Sequence, residues 1–149
     1  MYESQLEAIR LDMAEDGEKM QPPCTEAAIE ALDRRMREIL GVPLSGAHAA
    51  FLRRADGIDY NGLVIYASER GSLEGYEDRT IDGVVEANLD LRSLEPMRRY
   101  LVIAESGTLL WVLDLETSTY RSVDRTTLDP HALHDSFESM LADALARHL

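Results

Sequence analysis

The sequence predicts an α+β fold in which N-terminal helices and one C-terminal helix pack on a mainly antiparallel sheet. Three observations carry that reading. Apolar residues recur at helical spacing through the first third of the chain, switch to period two and short apolar runs from Arg99 to Val123, and return to helical spacing after Ser136. A chain of 149 residues that is 45% hydrophobic has the size and composition of one domain with a real core, so residues 1–149 are read as a single domain.

Tyr2, Leu6, Ile9 and Met13 alternate with Glu3, Glu7, Asp12 and Glu15, which gives an amphipathic helix ending near Gly17. Pro22-Pro23 forbids its continuation. Thr25 is a good N-cap for a second helix and Glu26 suits its first turn. Ile29, Leu32, Met36, Ile39 and Leu40 form its apolar stripe up to Gly41. Arg34, Arg35 and Arg37 lie toward its C-terminal end, where they complement the helix dipole. Val42-Pro43-Leu44 reads as an extended connector, and Ser45 caps a short third helix running to about Ala55 with Phe51 and Leu52 inward.

The stretch from Phe51 to Ala67 turns helix into sheet. Gly57 supplies the left-handed residue that commonly ends a helix, Asn61-Gly62 offers positive φ angles, and Leu63 to Ala67 is a strand. Ser68 to Thr80 is a polar loop kept irregular by Gly71 and Gly75. Ile81 to Arg92 reads as a helix, or as a strand followed by a shorter helix, because Gly83, Val84 and Val85 weaken helix propensity. Tyr100–Ala104, Leu109–Leu113 and Tyr120–Val123 are three strands of an antiparallel meander, with turns at Ser106-Gly107 and Glu116-Thr117-Ser118. An irregular stretch around Asp129-Pro130 follows. Ser136 then caps a final helix whose Phe137, Met140, Leu141, Ala144 and Leu145 face the sheet.

The run Asp56-Gly57-Ile58-Asp59-Tyr60-Asn61-Gly62-Leu63-Val64-Ile65-Tyr66 resembles the SUKH superfamily, and within it the YrhA-like branch, where Asn and Leu stand in place of Asp56 and Ile58. Val84-Val85-Glu86-Ala87-Asn88 resembles the Phe-Ile-Glu-Ala-Asn helix of the same proteins, with valines for Phe and Ile. Ser136-Phe137-Glu138-Ser139-Met140-Leu141 resembles their Ser-Phe-Asp-Glu-Met-Leu close, and Ser139 removes the capping-box Glu. His48 takes the place of a tyrosine, and Ser118 that of a turn glycine. The resemblance runs from about Gln21 to Leu145, in the family's order. It implies a SUKH-like fold.

Enzyme signatures are absent from the sequence: no Gly-rich phosphate loop, no Gly-x-Ser-x-Gly elbow, no His-Glu-x-x-His and no Cys-x-x-Cys. No catalytic residue, metal ligand or cofactor is assigned. His131 and His134 beside Asp129 and Asp135 make a metal cluster only if that stretch turns helically, and a solvated approach to the last helix is the plainer reading. Glu86 and Asp90, four apart, read as a wet helical face before an acid-base pair. Trp111, in a central strand, reads as core packing before a ligand pocket. His48 reads as a core or surface histidine, with a pH-sensitive contact as the alternative. Cys24, the lone cysteine, has no partner for an internal disulfide or metal motif and reads as a half-buried small residue in a reducing compartment.

The formal charge of −13 argues against nucleic acid as a direct partner and favours a basic protein. The apolar runs are too short to span a bilayer and the first residues lack a signal peptide's basic start and apolar centre, so a cytoplasmic protein is expected. Asp56, Asp59 and Tyr60 at the helix-to-sheet joint, with Glu69, Glu74, Glu77 and Asp78 in the acidic loop, form the candidate partner-binding surface. SUKH-like proteins characteristically neutralise bacterial toxins, often nucleases, and the superfamily also holds a yeast regulator of cell-wall synthesis. The resemblance therefore implies a non-enzymatic immunity protein acting on a basic cognate toxin. The alternative is a housekeeping regulatory protein with a non-toxin partner, and the oligomeric state stays open.

Overall fold

The computed structural model describes residues Met1–Leu149. The chain opens with α1 (Glu3–Glu15) and α2 (Glu26–Arg35), the second capped by the Thr25 hydroxyl, which accepts from the Ala28 N–H at 3.1 Å. A π-helical turn, Met36–Leu40, extends α2 and ends at Gly41 with φ +73°. That wider turn changes the expected stripe. Met36 and Leu40 stay buried, but Ile39 rotates outward and is 48% exposed. α3 (Gly46–Leu52) is capped by Ser45 and buries Phe51 and Leu52, as its spacing predicts, although it ends three residues short of Ala55.

Gly57 therefore does not end a helix. It has φ +86°, and a Cβ there would lie 2.9 Å from the Ala67 nitrogen and the Ile65 carbonyl oxygen, so the position demands glycine because two backbone segments meet. A strand unrecognised in the sequence follows, β1 (Ile58–Tyr60), which pairs with β2 (Leu63–Ile65). Tyr60 opposes Leu63, leaving Asn61-Gly62 as a two-residue turn with φ +47° and +85°. Both angles are positive, as the primed hairpin turn requires. The expected strand to Ala67 is shortened to Ile65.

The chain then leaves the sheet. β3 (Gly71–Ser72) and β4 (Thr80–Ile81) form a small hairpin where an irregular loop is predicted, with Leu73, Ile81 and Ala67 as a second, minor core. β4 followed by α4 (Val84–Leu91) matches the strand-then-helix option. The meander is β5 (Tyr100–Glu105), β6 (Leu109–Asp114) and β7 (Thr119–Asp124), and Ser118 takes φ +56° in the last turn. The expected irregular stretch at Pro130 is instead β8 (Pro130–His134). Its proline sits at the first strand position, where a missing N–H is tolerated. α5 (Phe137–Ala146) closes the chain, capped by Ser136, with all five predicted apolar residues buried.

The large sheet is antiparallel throughout, in the order β1-β2-β5-β6-β7-β8. α5 lies against β6, β7 and β8 with α1 and α3 packed on it, and α4 packs on β5 and the π turn. β2 pairs with β5 only at Glu105 and Ala104, which leaves the upper edge of β5 open. Asn88 of α4 fills the gap. Its side-chain oxygen accepts from the Val102 N–H at 2.8 Å and its nitrogen donates to the Val102 carbonyl at 2.9 Å, so one buried amide replaces a missing strand. Trp111 is fully buried at the sheet centre and donates from Nε1 to Asp143 at 3.2 Å. Cys24 is buried rather than half-buried. No helix is long and apolar enough to cross a membrane.

Candidate functional site

Gln21, just before Pro22-Pro23, bridges two segments distant in sequence. Its oxygen accepts from the Glu74 N–H at 2.6 Å and its nitrogen donates to the Asp56 carbonyl at 3.4 Å. Asp56 in turn receives the Ser68 N–H at 2.7 Å and the Ser68 hydroxyl at 3.1 Å, one on each carboxylate oxygen. The loop from Ser68 to Thr80 is thus clamped at its start and middle, and the Leu73 N–H to Arg79 carbonyl bond ties its two limbs together at 2.9 Å. A polar loop held this way presents its side chains in fixed positions.

Against that loop lies the end of α1 and the segment to Gln21, and beside both sits the β1–β2 turn. Four neighbouring depressions line this junction, with six carboxylates on their walls against two cations, Lys19 and Arg79. Asp12, Asp16 and Glu18 come from α1 and its extension, Asp59 from β1, and Glu74 and Glu77 from the loop. Met13, Met20, Leu73 and Tyr76 provide an apolar floor between them. Tyr76 is half-buried, with the Arg79 guanidinium 4.7 Å from its ring centre, and Arg79 also approaches Asp59 at 3.7 Å. The most enclosed of the depressions has an interior of about 20 Å³, room for a water and no metabolite.

The predicted partner-binding residues divide between surface and interior. Glu74 and Glu77 are exposed and Asp59 is half-exposed on the same junction, while Asp78 is exposed but lines none of its four depressions. Glu69 is exposed at the far end of the loop, next to Gly83 at the start of α4, and lines none of these four depressions. Asp56 is the clamp just described, with both oxygens engaged. Tyr60 is 9% exposed and its hydroxyl donates to Asp12, so it is wall rather than protruding anchor. Its parity with buried Ile58 in β1 is the signal that points it inward. Tyr76, unassigned in the sequence, is the aromatic of this surface, and Asp12, Asp16 and Glu18 join only because α1 folds back beside the loop.

The other chemical candidates do not converge. No group of three or more His, Cys, Asp or Glu side chains is arranged to hold a metal ion. His131 accepts from Arg147 at 3.0 Å, while His134 faces Ser122 at 3.3 Å and Asp143 at 4.0 Å. Both of the latter contacts use Nε2, whereas a serine relay needs the carboxylate and the hydroxyl on different ring nitrogens. Glu86 and Asp90 turn to separate arginines, Arg35 at 2.7 Å and Arg70 at 3.2 Å. Burial pushes the Glu86 carboxyl up, but the Arg35 guanidinium and the backbone N–H groups of Glu86 and Arg70 together outweigh it, and the group titrates below the ordinary range.

No protein-family model and no curated protein matches the chain.

Proposed function

We propose that this chain is a non-enzymatic, SUKH-like binding domain of the cytoplasm that neutralises a basic bacterial toxin, its acidic junction covering the toxin's active or substrate-binding face. The observation that carries this reading is the clamped concave surface of six carboxylates around Tyr76. Carboxylates on a rigid frame steer a cationic partner and match a face built to hold phosphates, and a half-buried tyrosine supplies the packing anchor that charge alone lacks. The overall charge of −13 acts in the same direction. The resemblance to SUKH proteins supplies the class of partner, and the surface supplies the chemistry that would recognise it.

Affinity capture from the native lysate at low and high salt tests this, with a Glu74→Lys, Glu77→Lys, Asp78→Lys variant as control. The expected result is a stoichiometric basic toxin, weakened by salt and lost with the variant. A non-toxin partner indifferent to the loop would instead support the housekeeping regulatory reading.

A further inference from the structure

We propose that the chain forms a two-fold homodimer through β8, joining two six-stranded sheets into one. β8 is an edge strand: β7 lies on one side of it and no strand on the other. The direction of its backbone groups follows from two bonds of β7. The Asp124 N–H bonds to the Asp129 carbonyl at 2.9 Å, toward β8, and the Arg125 N–H bonds to the Thr108 carbonyl at 2.9 Å, toward β6. Backbone groups alternate along a strand, so Ser122 and Tyr120 also face β8. Their partners in register are Ala132 and His134. Leu133, between them, therefore directs its N–H and C=O outward.

Natural edges are guarded by lysines, central prolines, bulges or covering loops. β8 has no lysine, its proline is at the first position, and its one irregularity, the extra residue His131 between Pro130 and Ala132, lies outside the Ala132–His134 stretch. The Leu133 side chain is 66% exposed. The opposite edge strand, β1, has only three residues, too short to present a long row of free backbone groups.

The outward residues also select the partner. Antiparallel pairing of β8 with a second β8 about Leu133 sets Leu133 opposite Leu133, with a reciprocal pair of N–H···O=C bonds, and His131 opposite Asp135 at each end. In each copy His131 accepts from Arg147 at 3.0 Å, and Arg147 also pairs with Asp143 at 3.1 Å, so each Asp135 meets a histidine and a paired arginine of the other copy, not another carboxylate. Centring on Ala132 instead would oppose Asp129 to Asp135, like charge to like, which disfavours that register. Because both copies use the same strand, the contact closes as a dimer and does not propagate. The acidic junction lies at the β1 end of each sheet, so the dimer leaves both junctions free.

Sedimentation equilibrium over a concentration series tests the proposal, with expected mass rising to twice the 16.7 kDa of one chain. Leu133→Pro removes only an outward donor and should leave far-UV dichroism and the thermal midpoint near those of the parent while abolishing the dimer. Leu133→Cys tests the register. Paired residues at a hydrogen-bonded site have Cα atoms about 5.5 Å apart, within disulfide reach, so mild oxidation should link two chains at this position, while Ala132→Cys should not self-link. A 16.7 kDa species at every concentration up to the solubility limit overturns the proposal. So does a dimer that survives Leu133→Pro with its fold intact.

Discussion

Replacing His48 by phenylalanine should flatten the acid side of the stability profile. The His48 ring lies in α3, 2% exposed, stacked on Phe137 with centres 5.1 Å apart and planes at 29°. Its Nε2 is buried and has no hydrogen-bond partner. Burial alone draws its pKa from the ordinary value down to about 4. The folded state thus resists a proton that the unfolded chain accepts from about pH 6.5 downward. Its contribution is complete above that pH, declines as pH falls toward 4, and is fully lost below. The total is about 3 kcal/mol, of which about 2 kcal/mol is gone at pH 5. Phenylalanine keeps the stacking and cannot titrate. Any packing change it introduces is independent of pH, and the carboxylates common to both proteins cancel in the comparison. Urea denaturation of parent and His48→Phe at pH 7 and pH 5, at unchanged m-value, should show the parent losing about 2 kcal/mol more than the variant between the two pH values. Equal losses would refute the reasoning, because they require a His48 ring that protonates as freely folded as unfolded.

Three further outcomes follow from the joints of the fold. Gly57→Ala places a Cβ 2.9 Å from two backbone atoms at φ +86°, and should lower stability by about 2–4 kcal/mol in the same urea assay. Asn88→Leu leaves the Val102 N–H and C=O buried without partners, costing about 2–4 kcal/mol, and amide exchange at Val102 should accelerate selectively. Asp114 is buried at the end of β6, and burial raises its carboxyl, but Arg99 at 2.6 Å and the Glu116 N–H at 3.0 Å outweigh it and hold it below the usual range. Asp114→Asn should therefore be less stable than the parent at neutral pH, by about 1–2 kcal/mol given that Arg99 is partly solvated, and the gap should close as pH falls below about 4.

The elements legible in the sequence are those whose signal is local. Thr25, Ser45 and Ser136 each cap the helix they precede, Asn61-Gly62 makes the positive-φ turn, and the meander strands fall within a residue or two of their apolar runs. β8 was hidden because an edge strand reading Pro-His-Ala-Leu-His lacks both alternation and β-branched residues. The exposure of Ile39 was hidden because nothing in the apolar spacing distinguishes a π turn from an α turn. In the candidate site, sequence identifies charge but not direction. Glu74 and Glu77 project outward as loop residues do, yet Asp56 two positions before β1 looks equally free and is held by Ser68. Asp12, Asp16 and Glu18 have no sequence link to the loop, since it is the long-range bonds of Gln21 to Glu74 and Asp56 that tie their segment to it.

The most direct measurement is a titration of the purified chain into the basic protein captured with it from the native lysate, following both heat and that protein's residual toxin activity at low and high salt. The account predicts stoichiometric inhibition that weakens as salt rises, and that is lost in the Glu74→Lys, Glu77→Lys, Asp78→Lys variant while its thermal midpoint stays near the parent's. Full inhibition by that variant, or none by the parent, would contradict it.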